Sequence, residues 1–176
     1  LDALSRRSLT YPCTCSRSQI RSAASAPHGD KHELRYPNTC RPRNGPRPLQ
    51  VGTAAALRLI VPDGTLPYHD QLHGPQSVDV QEQVGDYVVR TKAGLPAYQL
   101  AVVVDDARQQ ITDVVRGDDL LRSTARQLWL YKLLELRPLP RYWHVPLVAG
   151  PDGRRLAKRH GDTRLSKYRA AGVPPQ

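Results

Sequence analysis

Methionine and phenylalanine are both absent from the 176 residues, and aromatic residues make up only 6%. With no Met at position 1, the chain reads as a fragment or a processed piece of a longer protein. Hydrophobic residues reach 39%, enough for a core but a lean one. The longest uninterrupted apolar run, Leu100 to Val104, is a strand's length and far short of the ~18 residues that span a bilayer. No charged-then-apolar leader opens the chain, so a cytoplasmic protein with no membrane partner is expected. Three cysteines are too few for a disulfide framework and point to a reducing compartment or to a metal. Walker, G-x-G-x-x-G, H-E-x-x-H and EF-hand patterns are all missing, and no Ser/His/Asp set stands in suggestive context. That excludes the simplest nucleotide-binding and hydrolytic readings.

What is abundant is positive charge. Lys and Arg number 26 against 16 acidic residues, for a net charge of +10. The distribution is uneven: residues 1–50 carry 9 basic and 3 acidic groups, 51–120 carry 5 and 10, and 121–176 carry 12 and 3. An acidic middle between two basic flanks suits a polyanion gripped at two places, the alternative being solvated surface charge.

The pattern predicts the end of a helix over residues 1–9, broken at Thr10-Tyr11-Pro12. From Cys13 to Pro48 the chain is polar, basic and rich in Pro, Gly and Ser, an irregular unit that a metal could organise. Strands are expected at Ala55–Pro62, Val84–Arg90 and Thr112–Arg116. Ala97–Val104 reads as a strand buried on both faces of a parallel sheet. Thr124 and Gln127 have capping-box spacing before the stripe Trp129, Leu130, Leu133 and Leu134, which predicts a helix stopped by Pro138 and Pro140. A strand near His144–Val148 and a helix from Thr163 to Ala171, capped by Asp162 and ended at Gly172, complete an α/β pattern.

Cys13-x-Cys15 with Cys40 puts three thiols in one irregular segment, and zinc prefers thiolates in a tetrahedron of four ligands. Coordination chemistry alone favours His28 or His32 as the fourth ligand, with Tyr36 the odd choice. Three unrelated reduced cysteines are the alternative. Residues 150–161, GPDGRRLAKRHG, form a glycine-flanked basic loop between a strand and a helix, suited to phosphate or to plain solvation. Arg116, leaving a strand end, is placed to pair with a carboxylate ligand, or else with Asp118 or Asp119. Tyr98 opens the most apolar segment and Asp105-Asp106 closes it. Tyr98 could equally cap the core.

Together these segments resemble one family. YPCTCSR (Tyr11 to Arg17), IRSAASAPHG (Ile20 to Gly29) and YPNTCR (Tyr36 to Arg41) resemble the zinc segment of glutamyl-Q tRNA(Asp) synthetases. AYQLAVVVDD, ITDVVRGDDLLRSTARQLWLY and YWHVPLVAGPDGRRLAKRHG resemble the second half of their catalytic domain, in the right order. The resemblance implies a class I synthetase α/β fold, Rossmann-like with a parallel sheet. Residues 1–12 would end the first Rossmann half, 13–86 would be an inserted zinc subdomain, and 87–176 would form the second half.

It also implies a function: ATP-dependent activation of L-glutamate and its transfer to queuosine in the anticodon of tRNA(Asp), by a monomer. The implied zinc ligands are Cys13, Cys15, Tyr36 and Cys40, one structural ion per chain, against the preference for His28 or His32. Tyr98 and Arg116 match glutamate-binding positions. Arg155, Leu156, Ala157, Lys158 and Arg159 match the KMSKS signature, with Lys158 steadying the phosphates of ATP, Mg2+ assisting. Leu147 and Val148 fall where adenine is held. Ala157 stands for the signature's Ser and Arg155 for its first Lys. The HIGH-type signature has no counterpart in these residues, so the resemblance implies that this piece alone does not activate glutamate and that its sheet is incomplete. An ordinary glutamyl-tRNA synthetase and a non-catalytic zinc- and RNA-binding remnant are the alternatives.

Overall fold

A computed structural model describes residues 1–23, 35–42, 52–150 and 165–174. Helix α1 (Asp2–Arg6) leads into β1 (Thr10–Cys13), and α2 (Arg17–Ala23) follows. Then come β2 (Ala56–Leu59), β3 (Thr65–Asp70), β4 (Gly74–Asp79), α3 (Val80–Gln83) and β5 (Tyr87–Arg90). The remainder is α4 (Tyr98–Arg108), β6 (Asp113–Gly117), a 3-10 turn (Asp118–Leu120), α5 (Leu121–Leu134), β7 (Arg141–Val145) and α6 (Leu165–Ala170).

The strands form two sheets. One is antiparallel in the order β1-β2-β5, and the other is mixed in the order β4-β3-β7-β6. In the mixed sheet β3 and β4 make a hairpin, while β7 runs parallel to both β3 and β6. The expected wholly parallel sheet is therefore corrected: β4 turns back at Asp70–Gly74, with φ +71 at Gly74. Thr10-Tyr11-Pro12 does not simply break the chain after α1. It pairs as β1, where Pro12 is tolerated because β1 is an edge strand.

Helix α4 is the main correction. The apolar stretch 97–104 is not a buried strand but the front of a helix whose N-cap, Ala97, is extended behind Pro96. Leu100 and Val103 are buried on one side, Val104 and Ala107 pack beside them, and Tyr98 and Asp105 face solvent. That is the i, i+3, i+4, i+7 spacing of a helix face, and packing against α5 overrides the strand preference of three consecutive valines. Asp105-Asp106 consequently ends no strand. It lies inside α4, with Asp105 exposed and Asp106 half-buried.

The capping box is the second correction. Helix α5 starts at Leu121 after the 3-10 turn, without a side-chain cap, so Thr124 and Gln127 are interior helical residues, both buried. The strands expected at Ala55–Pro62 and Thr112–Arg116 form as β2 and β6. The one expected from Val84 is shorter, because Val84 closes α3 and Gly85 turns at φ +73. The strand expected from His144 starts earlier, at Arg141. Of the last helix, Leu165–Ala170 is observed, with Gly172 beyond it at φ +74; Asp162 and Thr163 lie outside the described residues.

One apolar core joins α1, β2, β5, α4 and α5 through Leu4, Leu59, Val89, Leu100, Val103 and Leu130. Just past α1, Arg7 donates to the Leu133 carbonyl near the end of α5. A second, smaller cluster has Tyr11, Cys13, Tyr36 and Cys40 as its buried members among the described residues.

Candidate functional site

Arg116 points from β6 toward α5, and its guanidinium is held on three sides. Its Nε donates to His144 Nε2 at 3.0 Å, Nη1 to Gln127 Oε1 at 2.8 Å, and Nη2 to Thr124 Oγ1 at 2.8 Å and, more weakly, to the Leu120 carbonyl at 3.4 Å. The plane lies over the Tyr142 ring, 5.2 Å from its centre. Every one of these acceptors is uncharged. Neither Asp118 nor Asp119 takes the guanidinium, and among the described residues no carboxylate forms an ion pair with it. Burial lowers its affinity for the proton, while Tyr142, Tyr98, Tyr68 and Asp106 raise it. A half-buried cation with an N–H to spare and, among the described residues, no carboxylate paired to it is suited to receive an anion.

The reason for this orientation lies one residue further in. His144 on β7 and Asp70 at the end of β3 are both fully buried, and His144 Nδ1 meets Asp70 Oδ2 at 2.5 Å. The second oxygen of Asp70 accepts from the amides of Leu72 and His73, at 3.1 and 2.9 Å. Burial pushes the Asp70 carboxyl up, but these bonds and His144 outweigh it and hold it below the usual range. Burial lowers His144, Asp70 opposes it, and nearby Arg116 adds to the lowering, which favours the neutral ring. With Asp70 ionised, the proton sits on Nδ1, and Nε2 is left as the acceptor that Arg116 needs.

A side-chain chain then leads to Tyr98. Gln127 Nε2 donates to Gln99 Oε1 at 2.9 Å, which ties the first turn of α4 to the Arg116 cluster. Tyr98, next along, is 58% exposed and so does not cap the core. It borders a cavity of about 760 Å³ whose lining also includes Cys15, Tyr36, Arg58, Asp86 and Gln99. The structure thus brings Tyr98 and Arg116 to one side of α4 and α5. Leu147 is half-buried against Gly117, where an added Cβ would meet Leu147 Cδ2 at 2.7 Å, and Val148 is 70% exposed. Arg155, Leu156, Ala157, Lys158 and Arg159, together with His28 and His32, lie outside the described residues.

The far wall of that cavity belongs to the cysteine segment. Cys13, Cys15 and Cys40 place their ligand atoms within 4.8 Å of one another, and Cys15 and Cys40 approach to 3.5 Å between sulfurs. Thiolates on one zinc ion at ~2.3 Å would stand roughly 3.8 Å apart, so these three could hold a metal ion. The Tyr36 hydroxyl joins them, 3.4 Å from Cys13 Sγ and 3.7 Å from Cys15 Sγ, and accepts the Cys40 amide at 2.9 Å. Burial pushes Cys40 up, but the Tyr36 hydroxyl and the Thr14 amide bring it down to about 7. Cys15 is pushed up to about 11, by burial first and by Cys40 next.

Asp86 fixes this segment to the sheet. It is fully buried and accepts from Tyr11 Oη at 2.7 Å, the Val61 amide at 2.8 Å and Arg41 at 3.3 Å. Arg58 bonds the Asp86 carbonyl at 2.7 Å and covers the Tyr36 ring, 3.5 Å from its centre. Asp70, Thr124, Gln127, His144, Arg58 and Asp86 escaped the sequence reading as members of a site. The only signal was polarity at inward positions of strands and helices, and nothing in the sequence marks which positions face inward.

The chain is similar to known proteins of one family. The family model for tRNA synthetases class I (E and Q), catalytic domain, matches residues 1–176. Relatives named glutamyl-Q tRNA(Asp) synthetase include those of Symbiobacterium thermophilum, 47% identical over 183 residues, and Nocardia farcinica, 49% identical over 171. Those alignments take in 99% and 96% of this chain but 56% and 53% of the relatives, so the chain spans about half their length. Among solved structures, the glutamate-tRNA synthetase of Elizabethkingia anophelis superposes with a TM-score of 0.68 at 26% identity, over 93% of this chain and 37% of that one. A glutamate tRNA ligase from Elizabethkingia meningosepticum, solved in complex with its amino acid, also scores 0.68. The chain belongs to the class I (E and Q) tRNA synthetase family, and its mixed α/β sheet is part of that family's catalytic domain.

Proposed function

We propose that the protein of which this chain is part activates glutamate with ATP and transfers it to queuosine in the anticodon of tRNA(Asp). The observation that carries the reading is Arg116, a preoriented guanidinium with no carboxylate partner among the described residues, in a chain whose near relatives bear the name glutamyl-Q tRNA(Asp) synthetase. Arg116 would pair with a glutamate carboxylate while Tyr98 lies along the amino acid. Lys158 and Arg155 would steady the phosphates of ATP, with Mg2+, as the leaving pyrophosphate gains charge. The backbone of Leu147 and Val148 would hold adenine.

Two steps follow in this reading. A glutamate carboxylate oxygen attacks the α-phosphorus of ATP and releases pyrophosphate. A queuosine hydroxyl then attacks the mixed anhydride carbonyl and releases AMP. Neither step needs a side-chain nucleophile, because positioning and charge stabilisation supply the catalysis.

The thiols of Cys13, Cys15 and Cys40 with the Tyr36 hydroxyl make a donor set that suits zinc, which would crosslink the segment rather than act on substrate. We assign residues 13–86 to the unit that this ion organises and 87–176 to the second Rossmann half, in a cytoplasmic monomer. The test is transfer of labelled glutamate by the complete protein. Label on queuosine-containing tRNA(Asp), and not on the same tRNA lacking queuosine, is the expected result. Label on glutamate tRNA would make the protein an ordinary glutamyl-tRNA synthetase, and no label at all would make it a binding remnant.

A further inference from the structure

We infer that Asp70 and His144 are positioning residues for Arg116: the buried carboxylate selects the imidazole tautomer, and the tautomer aims the guanidinium. The inference rests on the reading of Arg116 as the glutamate-binding arginine and extends it to two residues with no ligand contact of their own.

The argument begins with donors and acceptors. An imidazole has one N–H and one lone pair when neutral, and which nitrogen carries the proton is set by its partners. Asp70 can only accept, so the 2.5 Å contact puts the proton on His144 Nδ1. Nε2 must then accept, and it receives Arg116 Nε at 3.0 Å and the Thr124 hydroxyl at 3.2 Å. The Thr124 oxygen meanwhile accepts from Arg116 Nη2 at 2.8 Å. The bonds from Arg116 to His144 and from His144 to Asp70 run in one consistent direction, with the Thr124 hydroxyl sharing the lone pair that Arg116 meets. Reversing the tautomer would set an N–H against the Arg116 N–H, and the guanidinium would have to turn away.

Parallel pairing of β7 between β3 and β6 makes the circuit possible, because it sets the three residues side by side. Arg116 and His144 are register partners, and Asp70 pairs with Tyr142, two residues before His144. Both Asp70 and His144 are fully buried, so water does not compete for either nitrogen. Backbone amides of Leu72 and His73 hold the carboxylate in place from behind. The buried carboxylate and imidazole thus end on a guanidinium that, among the described residues, forms no ion pair with a carboxylate.

The test uses the complete protein and separates positioning from structure through a double-substitution cycle. Asp70→Asn keeps the shape and an oxygen for the two amides but can donate to Nδ1, which moves the proton to Nε2. We expect the KM for glutamate in ATP–pyrophosphate exchange to rise about tenfold, as for a buried donor left facing a donor, with the KM for ATP unchanged. His144→Gln offers a carbonyl oxygen near the place of Nε2 and has no tautomer. Adding Asp70→Asn in that background should therefore change the glutamate KM by no more than about twofold.

Equal effects of Asp70→Asn in the two backgrounds would make Asp70 a structural residue and overturn the inference. Nitrogen-15 shifts of His144 in the unsubstituted protein give a readout independent of activity. A protonated Nδ1 with a bare Nε2 is expected, and a protonated Nε2 overturns the proposal even if a variant does not fold. Arg116→Lys distinguishes the two levels of failure. If it leaves the glutamate KM unchanged, the glutamate-binding reading fails and the inference with it. If it raises that KM while Asp70→Asn acts equally in both backgrounds, the inference alone fails.

Discussion

The chain holds two buried polar clusters, and they are stabilised in opposite ways. Around Arg116 every partner is already present: Asp70, His144, Thr124, Gln127 and Gln99 pass hydrogen bonds in a closed sequence on top of a substantial apolar core. Around Cys13 the buried cluster has four members among the described residues, and three thiols crowd together with no described cation hydrogen-bonded to them. The first cluster satisfies its own hydrogen bonds. In the second, thiolates could coexist only with a positive charge among them, and the surroundings have little hydrophobic area to compensate. In the reading proposed above, a metal would act on folding in one region, while a substrate would act on chemistry in the other.

The sharpest way to break that contrast is to withhold the ion. Structural zinc binding contributes on the order of 10 kcal/mol in small thiolate sites, so Cys13→Ser or a strong chelator should have the largest effect of any single change. Hydrogen exchange is expected to quicken across β1 and residues 36–42 while β6 and β7 keep their protection. Metal content, read by mass spectrometry, should fall from one zinc per chain to none. Uniform loss of protection throughout both sheets would show that the two regions are not separable.

Gly85→Ala should come next. A Cβ there would sit 2.6 Å from the Tyr36 carbonyl oxygen and 3.4 Å from its nitrogen, on a residue held at φ +73. Left-handed strain and a clash with backbone together cost about 3 kcal/mol. The Tyr36 amide also bonds the Val84 carbonyl at 3.0 Å, so the displaced segment would carry the Tyr36 hydroxyl away from the sulfurs. Urea unfolding should report the loss of stability, and zinc affinity should fall with it. Unchanged affinity would separate Tyr36 from the metal and leave the three cysteines to hold it.

In the other region, Arg116→Lys should leave the fold intact and weaken glutamate use. Lysine keeps the charge but loses the planar fork, and kcat/KM for glutamate is expected to fall about 30-fold, or roughly 2 kcal/mol. Circular dichroism should be unchanged. A similar fall for ATP and glutamate together would mean that the substitution disturbs the whole site rather than one carboxylate contact.

How much of this was legible in the sequence follows the same division. Cys13, Cys15 and Cys40 announce themselves by residue type and spacing, and the structure gathers them. Arg116 could be singled out because it ends a strand beside polar residues. Helix α4 was misread, since Val102, Val103 and Val104 favour a strand locally and only the contact with α5 makes a helix of them. The capping spacing of Thr124 and Gln127 was real in the sequence and irrelevant in the fold, because both side chains serve Arg116. Asp70 was invisible. It is 74 positions from His144, and their contact exists only because β3 and β7 run parallel in one register. Sequence pattern reports residue chemistry and local periodicity, whereas partners set by sheet order need the sheet.

The smallest expected effect concerns acid, and it again sets the two clusters apart. His144 takes up a proton less readily in the folded protein than at its usual value of 6.5, because burial disfavours the imidazolium and Arg116 faces its open nitrogen. The unfolded chain therefore binds that proton first as pH falls. Stability from this group is complete above 6.5, declines as pH drops below 6.5, and stops changing once the folded protein is protonated too. Asp70 has the same sign further down, since its folded carboxyl lies below the usual 3.8. His144→Gln should accordingly flatten the acid side of the urea-stability profile near 6.5 and reduce the Asp70 contribution below it toward what the Leu72 and His73 amides supply. The profile of the metal-free protein should keep the His144 slope, because none of the groups that create it belong to the cysteine cluster. If removing the metal erased that slope, the two clusters would be one cooperative unit.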